Sequence, residues 1–263
     1  MDVLPAERLR TKIMTNKRRK VEGRSMTDIE AEFVHIGGLR AYLARPLGGA
    51  TGGMLLLLPM ITGIDAQVRE YAHDIAGTGV TALVWDPWHG PSADDTSREE
   101  LVELMRGLDD EKCLAEMATL LDHAFGELRL EKVGVIGWCL GGRLALILGA
   151  RDTRVANVVA YHPSIAVPPA PNHTIDAVEQ AGRVAAPVMV LHAGADTIMS
   201  AETFANLQAT LQQRETGATI THVYPGAEHG FSSRDRHGNP VNADAYAVSW
   251  PQALSFIGDT VRS

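Results

Sequence analysis

The sequence predicts an α/β protein with a mostly parallel, doubly wound sheet and helices on both faces. Continuous apolar runs, such as residues 54–58 (MLLLL), have the composition of strands that are buried on both sides. These runs alternate with segments whose apolar residues recur at helical spacing, as in residues 114–128. Repeated units of strand and helix of this kind build a parallel sheet.

The predicted elements follow one another along the chain. A β-hairpin is predicted around Gly37 and Gly38, where two alternating segments, 32–36 and 39–44, flank a glycine turn. Further strands are predicted at residues 54–58, 80–85, 132–138, 155–161, 188–192 and 219–224. Helices are predicted at residues 66–76, 97–128, 141–149, 201–214 and 243–257, the second with a break near Gly107.

Composition and charge narrow the classes of function. The 263 residues carry a formal net charge of −8, which disfavours nucleic acid and anionic membranes as partners. No stretch reaches the ~20 apolar residues needed to span a bilayer. Cys113 and Cys139 are too few for a disulfide framework, so a reducing, cytoplasmic location is expected. Residues 1–26 are predicted to be a basic, loosely packed leader, with a tail that binds nucleic acid or a surface as the alternative, and residues 27–263 a single domain.

The pattern Gly-x-Cys-x-Gly-Gly at residues 137–142 lies between a predicted strand and a predicted helix. It matches the nucleophile elbow G-x-S-x-G with cysteine in place of serine. Gly137 and Gly141 give the sharp turn the space it needs, and the helix start favours Cys139 as thiolate. The backbone N–H of Leu140 is free there to bind an oxyanion. The alternative is a small, inert cysteine buried beside a glycine-rich turn.

Two further residues follow the nucleophile in the order that this type of site requires. Asp196 comes just after the strand predicted at 188–192, and His229 comes after the strand predicted at 219–224. Open α/β sheets place their sites at these carboxyl ends of strands. We therefore predict Cys139 as nucleophile, His229 as base and Asp196 as the residue that orients the base.

Other assignments remain open for the acid. Asp86 also follows a predicted strand, although it precedes the nucleophile in the chain. Glu228 adjoins His229, but its side chain is expected to point away from the imidazole. Asp196 itself could be a loop residue that caps the helix beginning near Ser200.

These residues resemble the dienelactone hydrolase family over residues 33–257. The motifs that carry the resemblance are GWCLGG at 137–142, LHAGAD at 191–196 and PGAEHGF at 225–231. The resemblance implies an eight-stranded α/β-hydrolase fold, a Cys-His-Asp triad, no cofactor, no metal and the hydrolysis of dienelactones. It also implies a second oxyanion donor, the backbone N–H of Ile61.

The chain departs from the family pattern around the expected substrate pocket. Met60 stands where the family has a Glu that pairs with the resting thiol. The arginines that bind the substrate carboxylate in the family are absent from residues 86–90 and from Ser233, with Arg234 one place late. A carboxylated lactone is therefore not the expected substrate. Candidates to line a different pocket, with ordinary packing as the alternative, are Met60, Trp88, His89, Trp138, His162 and Phe231.

The predicted function is hydrolysis of a small-molecule ester or lactone through an acyl-enzyme thioester. A thiolate leaves more easily than an ordinary alkoxide, so a cysteine nucleophile favours dienelactone-like or other activated esters with acidic leaving groups. One alternative is a broad carboxylesterase or thioesterase, which the relative turnover of enol lactones and acyl thioesters would distinguish. Another is a noncatalytic thiol-based sensor or binder on the same fold, which would show no turnover.

Overall fold

The computed structural model describes residues 28–49 and 52–262, and these residues form an eight-stranded sheet. The strands are β1 (Ile29–Ile36), β2 (Leu39–Pro46), β3 (Gly53–Leu58), β4 (Thr81–Trp85), β5 (Lys132–Trp138), β6 (Val155–Tyr161), β7 (Val188–Ala193) and β8 (Thr219–Tyr224). Their order in the sheet is β1-β2-β4-β3-β5-β6-β7-β8. β2 is antiparallel to β1 and β4, and every other pairing is parallel. The leader predicted at residues 1–26 lies outside the described residues.

Helices cover both faces of this sheet. They are α1 (Ala66–Gly77), α2 (Arg98–Arg106), α3 (Asp110–Gly126), α4 (Leu140–Arg151), α5 (Ala177–Ala181), α6 (Ala201–Gln212) and α7 (Pro240–Val261). Successive residues of β3 point to opposite faces, so Leu56 packs in the core under α3, α4 and α6, whereas Leu57 packs under α1 and α7. The predicted doubly wound α/β fold is confirmed. Within the described residues, no helix has the length and apolar composition that crossing a bilayer requires.

The break predicted near Gly107 is confirmed, whereas α5 and the start of α7 differ from the prediction. The region predicted at 97–128 is divided into α2, which ends at the cap Gly107, and α3, whose cap Asp109 accepts from the N–H of Lys112 at 2.9 Å. The five-residue helix α5 was not predicted, because so short a helix has no measurable periodicity. α7 begins three residues before the predicted start, where Asn239 caps it and proline occupies the first turn.

A buried ion pair anchors the first turn of α4, the helix that follows the predicted nucleophile. The two Nη atoms of Arg143 donate to the carboxylate of Asp110 at 2.7 Å, and Nη2 also donates to the carbonyl of Ile175 at 2.7 Å. Burial alone would raise the pKa of Asp110, but the hydrogen bonds and charge of Arg143 lower the pKa below its usual value. The ionised pair therefore joins α4 to α3.

Replacing Asp110 by alanine is expected to lower the free energy of unfolding by about 3–5 kcal/mol, because it leaves the Arg143 charge buried without its partner. Urea denaturation at neutral pH measures the change. Glu103→Ala is the matched control, since it breaks an ion pair with Arg106 that is exposed on α2 and contributes little. Equal stability of the two variants would show that the buried pair does not hold α4.

Candidate active site

Three side chains predicted from the sequence meet at the carboxyl end of the sheet. Cys139 follows β5, Asp196 follows β7 and His229 follows β8. Nδ1 of His229 lies 2.8 Å from Oδ2 of Asp196, whose side chain is fully buried. The other carboxylate oxygen, Oδ1, accepts from the backbone N–H groups of Ile198 at 2.7 Å and Met199 at 3.0 Å. The carboxylate is thus held on one side while its second oxygen faces the imidazole.

The two competing acids have other partners. Asp86 is fully buried, forms an ion pair with Arg40 and accepts from the N–H of Trp88. Glu228 accepts from the side-chain amide of Asn242 at 3.1 Å. Among these acids, Asp196 is the one in contact with His229.

The backbone of Cys139 is strained, as a nucleophile elbow requires. Its φ of 52° and ψ of −111° lie where residues other than glycine are rarely found. Its N–H donates to the carbonyl of Tyr161 at 3.0 Å, and its carbonyl accepts from the N–H of Ser164 at 3.0 Å. A Cβ added at Gly137 would overlap the carbonyl of Gly141, and one added at Gly141 would overlap the end of β3. Gly137 and Gly141 are therefore required, because neighbouring backbone lies too close for a side chain at either position.

The charges around Cys139 favour its ionised form, the thiolate. Burial raises the pKa of the Cys139 thiol, but the hydrogen bond and charge of His229, the N–H of Leu140 and the hydroxyl of Ser164 lower it below its ordinary value. Burial lowers the pKa of His229, whereas Asp196 and Cys139 raise it to about 10. Nε2 of His229, the ring nitrogen that does not face Asp196, has no hydrogen-bond partner among the described residues. The opposite shifts favour a thiolate beside an imidazolium.

The two oxyanion donors predicted from the sequence are the backbone N–H groups of Leu140 and Ile61. Leu140 is the first residue of α4, and its N–H contacts the Cys139 thiol. Ile61 lies in the loop after β3, and its N–H has no hydrogen-bond partner among the described residues. The carbonyl of Pro59 in this loop accepts from the N–H of Gly141 at 3.2 Å. The loop therefore lies directly against the start of α4.

A cavity of about 510 Å³ opens beside Cys139 and His229, a size that suits a small ligand. Its apolar wall includes Ile61, Val102 and Met105. Its charged residues are Arg98, Glu228, Asp235 and Arg236. No three histidine, cysteine or acidic side chains of the described residues lie together as a metal site.

The two arginines of this cavity, Arg98 and Arg236, were not predicted from the sequence. Arg98 is the first residue of α2, and Arg236 belongs to a 3₁₀ turn that follows the loop of His229. Neither residue lies in a motif or follows a strand directly. Only the packing of these two segments at the same end of the sheet brings their guanidinium groups to the cavity.

Of the six residues predicted to line the substrate pocket, Met60 lines this cavity, and its sulfur accepts from the hydroxyl of Ser233 at 3.4 Å. The other five lie elsewhere. Trp138 and Phe231 are fully buried. Trp138, the last residue of β5, points to the face of the sheet that α1 and α7 cover and stacks on Tyr71. The exposed His89 pairs with Glu116 at 3.1 Å. The remaining two are His162, which lies beneath His229, and Trp88, which lies behind the Ile61 loop.

His162 is a second imidazole beneath the site. Its ring lies at 66° to the ring of His229, with 5.1 Å between the centroids. Nε2 of His162 is 2.8 Å from the hydroxyl of Ser232. Burial, and then the charge of His229, hold the pKa of His162 well below its ordinary value. His162 is therefore neutral and packs against His229 without competing for its proton.

Comparison with known proteins agrees with this architecture. Carboxymethylenebutenolidase of Rhodococcus opacus is 25% identical over 216 residues, which cover 82% of this chain and 84% of that protein. The dienelactone hydrolase of Anabaena variabilis has a TM-score of 0.63 at 20% identity, covering 90% of this chain and 100% of that chain. A dienelactone hydrolase-like promiscuous phosphotriesterase from metagenomic libraries has a TM-score of 0.72 at 21% identity, covering 89% and 99%.

At these identities the two solved structures show a shared fold. The sequence model of the dienelactone hydrolase family goes further, since it matches residues 39–261, which is most of the chain. The chain therefore belongs to the dienelactone hydrolase family and is a hydrolase that acts on esters or lactones.

Proposed function

We propose that this protein hydrolyses a small activated ester or lactone with Cys139 as nucleophile, His229 as acid and base, and Asp196 as the residue that orients the imidazole. The contact that carries the proposal is the 2.8 Å approach of Nδ1 of His229 to the buried Asp196 carboxylate. Because Nδ1 is occupied by the carboxylate, Nε2 is left for the thiol and the substrate. Membership of the family supports ester or lactone chemistry.

The first half of the reaction transfers the acyl group to sulfur. The Cys139 thiolate attacks the carbonyl carbon, and the N–H groups of Leu140 and Ile61 receive the negative charge on the carbonyl oxygen. The intermediate then collapses, the bond to the leaving oxygen breaks, and the Nε2 proton of His229 goes to that oxygen. The acyl group remains on Cys139 as a thioester.

The second half of the reaction removes the acyl group with water. The neutral imidazole of His229 takes a proton from water as the water oxygen attacks the thioester carbonyl. The same two N–H groups receive the oxyanion, and the carbon–sulfur bond breaks. Cys139 returns as thiolate beside the imidazolium, and the carboxylic acid leaves. Asp196 keeps Nδ1 of His229 protonated throughout.

The leaving group decides which esters are substrates. The tetrahedral intermediate expels the better leaving group, and a thiolate with a lowered pKa leaves more readily than an alkoxide. Alkyl esters therefore return to starting material, whereas enol and phenol oxygens compete with the sulfur. Enol lactones and aryl esters are therefore the favoured substrates.

Replacing Cys139 by alanine is expected to reduce the turnover of p-nitrophenyl acetate by about 10⁴-fold, since the nucleophile is removed. Release of p-nitrophenolate measures the turnover, and intact mass is expected to show an acetyl adduct in the wild type alone. Cys113→Ala is the matched control, because burial and nearby acids raise the pKa of this second thiol to about 12. This control variant is expected to keep wild-type activity.

Several outcomes would contradict the proposal. Full activity of Cys139→Ala would exclude Cys139 as nucleophile. A folded wild type with neither turnover nor adduct would favour the sensor or binder. Turnover of ethyl acetate as fast as that of p-nitrophenyl acetate would contradict the leaving-group argument.

The reactivity of the free enzyme tests the thiolate directly. His229→Gln removes the interaction that lowers the pKa of Cys139 and leaves burial, which raises it. Alkylation by iodoacetamide at neutral pH is therefore expected to slow by at least about tenfold, the factor for one pKa unit. The midpoint of its pH profile is expected to shift upward from a wild-type value below that of an ordinary thiol.

The loss of free thiol measured by mass, as a function of pH, provides this rate. His222→Gln is the control, because Nδ1 of His222 bonds to the Tyr224 hydroxyl within β8, at 3.3 Å. If His229→Gln reacted as fast as the wild type, the ion pair between thiolate and imidazolium would be excluded.

Although Glu228 and Asp235 line the same cavity, its two arginines, Arg98 and Arg236, support a substrate that carries an anionic group, contrary to the expectation drawn from the missing family arginines. Arg98 forms no ion pair with a described residue, and Nη1 of Arg236 lies 3.9 Å from Glu228. Guanidinium groups bind carboxylates with charge-assisted hydrogen bonds. Arg98 supplies positive charge from α2, a segment that carries neither of the family's carboxylate-binding arginines, whereas Arg236 lies three residues after Ser233, in a segment where the family has one.

Arg98→Met is therefore expected to raise KM about tenfold for the p-nitrophenyl ester of succinate, which has a free carboxylate, since one charge-assisted hydrogen bond contributes about 1.5 kcal/mol. The KM for p-nitrophenyl acetate is expected to stay the same. Arg106→Met is the control, because Arg106 lies on the same helix and pairs with Glu103 away from the cavity. An equal change for both esters would argue against recognition of the carboxylate.

A further inference from the structure

Trp88 joins the loop after β4 to the loop that carries Ile61. Its indole Nε1 donates to the carbonyl of Ile61 at 2.9 Å, and Trp88 is only 6% exposed. An indole has one N–H donor and no acceptor, so this bond uses all of its hydrogen-bonding capacity. Ile61 lines the cavity beside Cys139, whereas Trp88 does not.

The ring of Trp88 also packs against the backbone of this loop at Gly63. Gly63 has a φ of +66°, and a Cβ added there would lie 2.7 Å from Cδ1 of Trp88. The next carbonyl, that of Thr62, accepts from the N–H of Ala93 at 2.9 Å. Trp88 and Ala93 thus hold one side of the loop, while the hydrogen bond between Pro59 and α4 holds the other.

The position of Trp88 is itself fixed by a buried charge. Its backbone N–H donates to Oδ1 of Asp86 at 3.2 Å. Asp86 is fully buried, and its Oδ2 pairs with Arg40 of β2. Arg40 in turn stacks on Phe33 of β1, with its guanidinium carbon 3.8 Å from the ring centroid. The loop of Ile61 is therefore tied to the antiparallel strands of the sheet.

These contacts determine where the N–H of Ile61 points. The carbonyl of Met60 accepts from the N–H of Gly63 at 3.1 Å, inside the turn. In a trans peptide the N–H points opposite to the carbonyl of the same unit, so the N–H of Ile61 points out of the turn. The bond from Trp88 fixes the following peptide, and both peptide planes beside Ile61 are thereby held.

We propose that Trp88 is a positioning residue that aims the Ile61 N–H at the oxyanion through its hydrogen bond to the Ile61 carbonyl. The inference rests on the proposed function, in which Ile61 is one of two oxyanion donors. A donor held in place before reaction stabilises developing charge without reorganisation. A loop that lost this bond would have to be ordered at the transition state.

Trp88→Phe removes the N–H and keeps most of the apolar contact. The kcat for p-nitrophenyl acetate is expected to fall about tenfold, less than the loss of an entire oxyanion donor. The alkylation of Cys139 by iodoacetamide is expected to keep the wild-type rate, because displacement of iodide forms no carbonyl oxyanion. A change in packing that disturbed the elbow would slow both reactions together.

Trp250→Phe is the matched control. Nε1 of Trp250 donates to Asp74 at 2.9 Å in the core under α1 and α7, so this variant loses the same type of bond elsewhere. It is expected to lower the melting temperature and to leave both reactions unchanged. Arg40→Met, which removes the partner of Asp86, is expected to slow acyl transfer selectively and tests the same network if Trp88→Phe fails to fold.

The outcomes separate this inference from the proposed function. Wild-type kcat in folded Trp88→Phe, or an equal loss of acyl transfer and alkylation, would overturn the positioning role alone. A wild type whose turnover does not depend on Cys139 would overturn the proposed function and, with it, this inference. Selective loss of acyl transfer in Trp88→Phe with a normal control would support the role of Trp88.

Discussion

The backbone of Cys139 lies in a conformation that side chains avoid, and the rest of the site depends on keeping it there. Two hydrogen bonds hold it in place: its N–H donates to the carbonyl of Tyr161, and its carbonyl accepts from the N–H of Ser164. The close approach of Gly137 and Gly141 leaves no room for relaxation. Strain of this kind persists only where the surroundings determine the conformation from several sides.

The position of Cys139 in this turn then determines which groups raise or lower the pKa of its thiol. A thiol at the start of α4 is buried, and burial by itself opposes the thiolate. The imidazole of His229 outweighs burial because it is charged, and it stays charged because Asp196 occupies its far nitrogen. His162 packs against the same ring but is neutral, so it adds no competing charge. The positive charge beside the sulfur of Cys139 is therefore that of the His229 imidazolium alone among these two histidines.

Chemistry and recognition depend on different parts of the chain. Cys139, Asp196 and His229, the proposed nucleophile, orienting acid and base, lie at the carboxyl ends of the parallel strands β5, β7 and β8, where the sheet itself sets their distances. The cavity wall comes from segments outside the sheet, such as α2 with Arg98 and the turn with Arg236. Substrate preference can therefore change in this fold through loops and short helices while the strand ends stay the same.

The sequence by itself determined the α/β fold and the candidates Cys139, Asp196 and His229, because apolar runs and strand-end motifs are local patterns. Only the tertiary structure decided the pocket. Met60 lines it, whereas Trp88, predicted as a pocket residue, packs behind the Ile61 loop. The local sequence of a loop does not determine which of its faces other segments of the chain will cover. That depends on segments far apart in the chain, whose approach is set by packing across the whole sheet.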